Sequence, residues 1–370
     1  MASERSDEIL LEVQESLGDG PFACTSLTRL SGGTANFVYR GILTVPLPDG
    51  SETVVIKHSE GYVAQTPSFK ITTTRCDYEQ TITTALAALP PSTHSNITVQ
   101  TPLLHLFSPA TNTQVYSDLP SSLDLKTYAL KYGPALAQPQ CAALGHALGL
   151  WTRRFHDWAQ ADEQRELVES MGGNVAMRDL KFTVNYDTLI ATIACFPEVL
   201  EGSRGVFERV RESRLREKGG EGAVLIHGDF WSGNILLPDG PILPSGDPTS
   251  IFIVDWELSQ VASPAFDLGQ MFAELLELKH FKDIDAGVWI IEAFMAGYGG
   301  IGEEMAFRTA VHVGTHLICW GSRVPGWGSP EQVRAVVEVG RGFVVNGWER
   351  ESGFFAGGPL ECLFSCDPGL

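Results

Sequence analysis

The sequence lacks several features that would assign the protein to a specialised class. No apolar run approaches the ~20 residues that a membrane-spanning helix needs, so a transmembrane protein is not expected. The stretch 1–11 is charged and has no apolar core of the signal-peptide kind. Positive charge is scarce, with 26 Lys and Arg against 45 Asp and Glu and a formal net charge of −19. Nucleic acid and anionic membranes are therefore not expected as partners, whereas a cationic substrate is compatible with this charge.

Paired cysteine spacing and internal repeats are also missing. The seven cysteines are scattered and odd in number, which indicates reduced thiols in a cytoplasmic setting and not a disulfide framework. The chain has 370 residues, of which 44% are hydrophobic. That is enough for two domains, or for one two-lobed fold with a substantial core.

The strongest functional signal is His227-Gly228-Asp229, which directly follows a short apolar run. Asn234 comes five residues after Asp229, and a later buried-strand run, 251–254, ends on Asp255. The loop 238–250 is rich in Pro, Gly, Asp and Ser, which predicts an antiparallel hairpin. Asn234 and Asp255 should then lie at the same end of the hairpin, with Asp229 just before it. Two carboxylates and an amide oxygen gathered there would suit Mg²⁺.

His-x-Asp-x-x-x-x-Asn followed by a strand-borne Asp is the catalytic arrangement of kinase-type phosphotransferases. The sequence motif HGDFWSGNILL, followed later by IVDWE, resembles the corresponding motifs of the aminoglycoside phosphotransferase and choline kinase superfamily. The resemblance implies an α+β, two-lobed protein-kinase-like fold, with a small β-rich N-terminal lobe containing one helix and a larger, mainly helical C-terminal lobe. It also implies that ATP and Mg²⁺ are used to phosphorylate a hydroxyl of a small molecule. Asp229 would then be the catalytic base, and Asn234 and Asp255 would hold the metal.

The N-terminal part contains the residues expected to bind the nucleotide. A strand, a Gly-rich turn and a second strand at 37–43 predict a hairpin whose glycines let backbone N–H groups approach phosphates. The sequence SGGTANFVYR resembles the phosphate loop of the superfamily. The alternative is an ordinary hairpin turn. The loop residues assigned to the nucleotide on this resemblance are Ser31, Gly32, Gly33 and Asn36.

Lys57 closes the next strand, 54–57, at the place where the superfamily has its phosphate-clamping lysine. Such a lysine needs an acidic partner. Residues 75–89 carry apolar side chains at helical spacing, and Glu79 borders that face. We predict that Glu79 pairs with Lys57; Asp77 is the second choice, and a surface pair of Glu79 with Arg75 is the alternative.

The polar stretch 118–122 is predicted to be a linker between two lobes. The nucleotide-binding lobe is predicted at 1–119, and the catalytic and substrate-binding lobe at 120–370. By the resemblance, backbone groups near Ser117 and Leu119 bind the adenine edge, and an insertion near 189–216 helps to form the acceptor pocket. Asp267 would brace the catalytic loop. The sequence leaves two roles open for Glu257, a further metal ligand or a solvated turn residue.

His312 and His316 have the spacing of a zinc pair, but Glu does not follow the first His. They are therefore interpreted as histidines of the helical core or of the cleft.

Two alternatives to a small-molecule kinase remain open from the sequence. A protein kinase is disfavoured because no activation segment with an Ala-Pro-Glu-like element fits between Asp255 and Asp267. A catalytically silent ATP-binding protein is disfavoured because Lys57, Asp229, Asn234 and Asp255 are all present. The sequence leaves the acceptor open among an amino sugar, an amino alcohol and a sugar, and the acidic balance favours one that bears an amine.

The assigned roles predict different defects for two substitutions. Asp229→Asn should abolish turnover and leave nucleotide binding nearly intact, because general-base help is typically worth ~10²–10⁴-fold in rate. Asp255→Ala should instead weaken the metal-dependent binding of ATP. Turnover assays and ATP titrations with and without Mg²⁺ measure both effects, and unchanged turnover of Asp229→Asn would refute the base assignment.

Overall fold

The computed structural model describes residues 2–18, 20–217, 222–242, 248–324 and 326–364. The chain divides into two compact units. Unit 1 contains Met1–Ala88 and Thr101–Ser121, and unit 2 contains Leu89–Gln100 and Ser122–Leu370. The stretch 89–100, which the predicted division at 119/120 assigns to the first lobe, lies in unit 2, because a strand within it pairs in parallel with Thr249–Ile253. Elements are numbered in chain order.

Unit 1 is built on an antiparallel sheet in the order β1-β2-β3-β9-β8, with a separate two-stranded hairpin, β4-β5. Ile9, Val13 and Leu17 of the first helix are buried in one hydrophobic core with Tyr39 and Ile56 of the sheet. The elements of unit 1 are α1 (Ala2–Leu17), β1 (Cys24–Arg29), β2 (Phe37–Leu43), β3 (Thr53–His58), β4 (Tyr62–Val63), β5 (Thr66–Lys70), α2 (Arg75–Leu86), β8 (Leu104–Ser108) and β9 (Thr113–Ser117).

Unit 2 combines a five-stranded sheet, a two-stranded sheet and most of the helices. The larger sheet has the order β10-β12-β13-β7-β6, and β11 pairs with β14. The strands are β6 (Ser92–His94), β7 (Ile97–Gln100), β10 (Ser122–Asp124), β11 (Val224–Ile226), β12 (Ile235–Pro238), β13 (Thr249–Ile253) and β14 (Gln260–Ala262).

The helices of unit 2 begin with α3 (Leu125–Tyr132) and α4 (Gln138–Trp158), and the insertion before β11 is also helical. The helices that follow α4 are α5 (Arg165–Met171), α6 (Val175–Phe182), α7 (Thr188–Thr192), α8 (Pro197–Leu200), α9 (Arg204–Arg216), α10 (Ala265–Lys282), α11 (Ala286–Tyr298), α12 (Glu303–His316) and α13 (Pro330–Trp348). Helices α4 and α11 pack closely, because Gly149 brings its backbone against Phe294 with no space for a Cβ.

Two predictions about architecture are confirmed. The N-terminal unit is β-rich and the C-terminal unit is mainly helical, as the kinase-like fold requires, although unit 1 has α1 in addition to the one expected helix α2. The hairpin predicted around Asn234 and Asp255 is the antiparallel pair β12 and β13. Part of its loop, 243–247, lies outside the described residues. None of the described helices is both long and apolar enough to cross a membrane.

Candidate active site

The catalytic loop begins where β11 ends, and one carboxylate of α10 fixes its backbone. The N–H groups of His227 and Gly228 donate to the two carboxylate oxygens of Asp267, over 2.8 and 3.0 Å. Gly228 has φ +80°, and a Cβ there would collide with the carbonyl of Leu258. Only glycine fits this turn without strain, which explains the residue between His227 and Asp229.

Asp267 is 1% exposed and is itself held by a buried histidine. His156 lies 3.2 Å from Asp267 through Nε2 and 2.8 Å from the Tyr298 hydroxyl through Nδ1. The predicted bracing contact is therefore present. Capping of α10 is not the role of this carboxylate, because Asp267 lies inside the first turn and bonds the loop backbone instead.

The His227 ring supports the same loop from within. Its Nε2 lies 3.0 Å from the Val254 carbonyl, and its Nδ1 accepts the N–H of Asp229 at 3.2 Å. This pattern requires a neutral ring with its proton on Nε2. Burial lowers the pKa of His227 and outweighs the nearby carboxylates, which favours the neutral form. His227 is therefore structural, and it connects the loop to the strand end that carries Asp255.

Asp229 points to three polar side chains, two of which the sequence did not indicate. Lys181 Nζ and Gln270 Nε2 donate to its Oδ1 over 3.0 and 2.7 Å, and Asn234 Nδ2 lies 3.4 Å from its Oδ2. A quarter of the Asp229 side chain is exposed. Burial raises the pKa of Asp229, but Lys181 and Gln270 outweigh it, so the pKa lies below its usual value and the carboxylate is ionised.

Asn234 and Asp255 lie at the same end of the β12–β13 hairpin. The N–H of Val254 donates to the Asn234 carbonyl at 3.0 Å, and Ile235 pairs with Ile253. Asn234 also donates its side-chain N–H to the Asp229 carbonyl at 2.9 Å, which leaves its amide oxygen for another partner. Asp255 has φ +70°, a left-handed conformation that is uncommon outside glycine, that aspartate tolerates better than most residues, and that also occurs at functional sites.

The interpretation of Glu257 as a solvated turn residue is wrong. It is 1% exposed, and its carbonyl accepts from Asn174 at 3.2 Å. Its predicted alternative role as a metal ligand stays a prediction.

A buried acid cluster consists of Glu274 and Glu277, further along α10, and His316 at the end of α12, with their ligand-type atoms within 4.8 Å of one another. Glu274 contacts His316 Nε2 at 3.0 Å and accepts from Lys126 Nζ at 3.0 Å. Glu277 accepts from the Trp327 indole N–H at 3.1 Å, and its second oxygen has no partner within the described residues. Burial and the neighbouring Glu274 raise the pKa of Glu277 well above its usual value.

In unit 1, the predicted contact between Lys57 and Glu79 is present, with Nζ 2.7 and 2.8 Å from the two carboxylate oxygens. Both side chains are buried, whereas Asp77 is exposed. The predicted apolar face of the helix is confirmed at Ile82 and Leu86, which are buried, whereas Tyr78 and Ala85 are only half-buried. The buried face of α2 also contains Arg75, Glu79 and Thr83, so Glu79 lies within that face and not at its border.

The Gly-rich turn joins β1 to β2, and its residues differ in exposure. Ser31 and Gly32 are exposed, and Gly32 has φ +115°. Asn36 is buried, and its side-chain oxygen accepts from Ser59 Oγ at 2.7 Å and from Arg75 at 2.9 Å. Asn36 therefore anchors the turn to the interior, while the exposed glycine backbone is the part open to a ligand.

The predicted contact with the adenine edge has a different outcome for each of its two residues, Ser117 and Leu119. The N–H of Ser117 already donates to the Leu103 carbonyl at 2.9 Å, so this donor is not open to adenine. Within the described ranges, Leu119 takes part in no backbone–backbone hydrogen bond. Arg40 forms a two-point ion pair with Asp118 at 2.7 and 3.0 Å, which attaches this segment to β2. The contact of Leu119 with the adenine edge stays a prediction.

A cavity of about 390 Å³ lies beside the catalytic loop, between the helical insertion and the β11–β14 pair. Its wall includes Lys181, Gly228 and the pair Tyr186–His312, whose hydroxyl and Nδ1 are 2.8 Å apart. The interpretation of His312 and His316 as core or cleft residues is confirmed, because they are buried and bond different partners.

The fold is that of the kinase-like phosphotransferases, and the sequence comparisons support the class of a small-molecule phosphotransferase. Residues 166–283 match the Ecdysteroid kinase-like family. The chain is 28% identical to a phosphotransferase named FrzJ from Cladobotryum sp, over 94% of each chain. It is 26% identical to a 4-hydroxytryptamine kinase from Psilocybe cyanescens, over 86% of each. Among solved structures, the GDP complex of wild-type aminoglycoside 2'-phosphotransferase-IIIa has the same fold, with a TM-score of 0.51 and 14% identity over 91% of this chain and 98% of that one. The resemblance predicted from the sequence is therefore confirmed.

The bracing contact predicts a local defect for Asp267→Ala. Two buried N–H groups would lose their acceptor, which should cost about 2–5 kcal/mol of unfolding free energy and lower turnover. Denaturant unfolding measures the first effect, and hydrogen exchange should show faster exchange at the amides of 227 and 228. Asp162→Ala, at an exposed aspartate, is the control. Unchanged exchange at these amides would contradict the bracing role.

The raised pKa of Glu277 predicts that Glu277→Gln gains stability over the wild type, by an amount that depends on pH. The wild-type carboxyl stays protonated when folded and ionises when unfolded, so wild-type stability falls as pH rises from about 4.3 towards the raised pKa. Over that interval the variant should gain about 1.4 kcal/mol per pH unit over wild type. Unfolding free energies across pH measure this, with the exposed Glu292→Gln as the control. A difference that does not grow with pH would contradict the buried neutral carboxyl.

Proposed function

We propose that the protein transfers the γ-phosphoryl group of ATP to a hydroxyl of a small molecule that carries a protonated amine. The observation that carries this proposal is the Asp229 carboxylate. It is partly exposed and ionised, and it lies on a braced loop beside Asn234. The second support is the acid cluster on the helix that also contacts Asp229.

Each group in the proposed reaction has a defined fate. The acceptor oxygen forms a bond to the γ-phosphorus while the bond between that phosphorus and the bridging oxygen of ADP breaks. The hydroxyl proton passes to Asp229 and then to solvent, so the products are a phosphate ester, ADP and a proton. Positioning and charge neutralisation supply most of the rate in such a transfer.

The donor set at the end of the β12–β13 hairpin fits a hard divalent cation. Asp255 supplies a carboxylate, and the amide oxygen of Asn234 is directed away from its hydrogen bond to Asp229. Oxygen ligands of this kind suit Mg²⁺, which neutralises phosphate charge when it is bound. In unit 1, Lys57 fixed by Glu79 and the exposed glycine turn are proposed to bind phosphates. The adenine is proposed to meet the backbone near Leu119.

The acid cluster supports the proposal that the acceptor carries an amine. It already binds one ammonium group, that of Lys126, which is 3.0 Å from Glu274 and 4.5 Å from the centre of the Trp327 ring. The second oxygen of Glu277 is buried without a partner among the described residues and could accept from a further ammonium. Carboxylates combined with aromatic faces are the chemistry that recognises organic cations.

The spacing along α10 suggests the size of the acceptor. Gln270, Glu274 and Glu277 follow one another at i, i+4 and i+7, so they share a face of the helix. At 1.5 Å per residue, the two acids lie about 6 and 10 Å along the axis from Gln270, which contacts Asp229. A hydroxylated amine of modest length could therefore span both groups. The hydroxytryptamine in the names of two relatives belongs to that class, and we propose such an amine in preference to a neutral sugar.

The proposed acceptor class predicts a selective defect for Glu277→Gln. Removal of the ionisable carboxyl should raise KM for amine acceptors about 10- to 100-fold, because Gln, unlike Glu, cannot ionise to pair with the ammonium that is proposed to bind there, and should leave KM for ATP nearly unchanged. A panel of hydroxylated amines, their N-acetylated forms and neutral sugars, assayed for ATP consumption, measures the preference.

Two results would contradict the proposal. Faster turnover of N-acetylated or neutral acceptors than of the parent amines would reject the amine class. Equal KM values for the wild type and Glu277→Gln with the best amine would reject the assigned subsite. Because the same substitution is expected to increase stability at neutral pH, a rise in KM cannot be attributed to unfolding.

A further inference from the structure

The surroundings of Asp229 include a lysine from a distant helix. Lys181, in the last turn of α6, donates to Asp229 Oδ1 at 3.0 Å and to Gln270 Oε1 at 2.8 Å. Gln270 Nε2 donates to the same Oδ1 at 2.7 Å. These side chains form a closed ring in which every contact is within hydrogen-bond range.

We propose that Lys181, together with Gln270, is a positioning residue that dedicates one oxygen of Asp229 to the acceptor hydroxyl. This rests on the proposed function, in which Asp229 receives the hydroxyl proton. Two donors already occupy Oδ1, whereas the contact of Oδ2 with Asn234 is long, at 3.4 Å. Oδ2 is therefore the oxygen that accepts from the substrate.

Charge gives Lys181 a second effect on the same group. The Asp229 carboxylate and the transferred phosphoryl group are both negative and must approach within a few ångströms. The Lys181 side chain is only 14% exposed, so water screens its charge weakly. Its ammonium offsets the carboxylate charge and reduces this repulsion. Lys181 does not gain or lose a proton in the reaction.

The contact is specific to Lys181 among the cations of α6. Arg178, one turn earlier on the helix, has its closest ion-pair contact with Asp179, at 3.9 Å, and is 30% exposed. No ion pair between Arg178 and Asp229 is formed within the described parts of the chain. Because Arg178 also lines the cavity beside the catalytic loop, the control for the loss of a cation is Arg165 of α5, whose side chain is 77% exposed.

The kinetic test compares Lys181→Met, Lys181→Arg and Arg165→Met with the wild type. Lys181→Met should lower kcat about 100-fold, comparable to the loss of one preorganised donor, while KM for ATP changes less than about threefold. Lys181→Arg should recover a substantial part of kcat, because the cation is retained, and Arg165→Met should behave as wild type. A kcat for Lys181→Met within about threefold of wild type, or a defect confined to KM, would overturn the proposal.

A second measurement needs no substrate and separates this proposal from the proposed function. Thermal unfolding of Lys181→Met, Asp229→Asn and the double variant forms a double-mutant cycle. The summed Tm losses of the single variants should exceed the loss of the double variant by about 2 °C or more, because each single variant leaves one partner uncompensated. Additive losses would overturn the positioning role. If the wild type phosphorylates no acceptor, the proposed function fails, and the cycle still decides whether Lys181 holds Asp229.

Discussion

The hydrogen bonds from two successive backbone N–H groups to Asp267 are the constraint on which the site depends. Buried N–H groups must be paired, and a tight turn at His227 and Gly228 offers them no strand or helix partner. One buried carboxylate satisfies both and is itself held by His156. Because Asp229 is the next residue, this arrangement fixes the direction in which its side chain leaves the loop.

Helix α10 places several parts of the site on one rigid element. Asp267 braces the loop, Gln270 contacts Asp229, and Glu274 and Glu277 belong to the acid cluster. The distances between these groups therefore follow from the helix geometry and not from flexible loops. A site mounted on a helix in this way is held more precisely than one mounted on loops.

Three lysines of the described residues are paired with carboxylates, whereas one buried carboxyl is not. Lys57 is paired with Glu79, Lys181 with Asp229 and Lys126 with Glu274. Glu277 instead retains an oxygen without a partner in the part of the chain that the structure describes, and its pKa is raised. Buried ions without partners are unfavourable, so a carboxyl in this state favours any cation that reaches it.

The sequence by itself determined the class of protein and the central motif. His227, Asp229 and Asn234 are close along the chain, and a turn signal before Asp255 predicts the hairpin that aligns it with Asn234, so local rules were sufficient. Only the tertiary structure identified Lys181 and Gln270, which lie 48 and 41 residues from Asp229. It also showed that polar side chains share the buried face of α2, because Arg75 and Glu79 are buried through hydrogen bonds and ion pairing. Apolar periodicity cannot reveal polar side chains that are buried by long-range partners, and much of the chemistry of this site lies in such side chains.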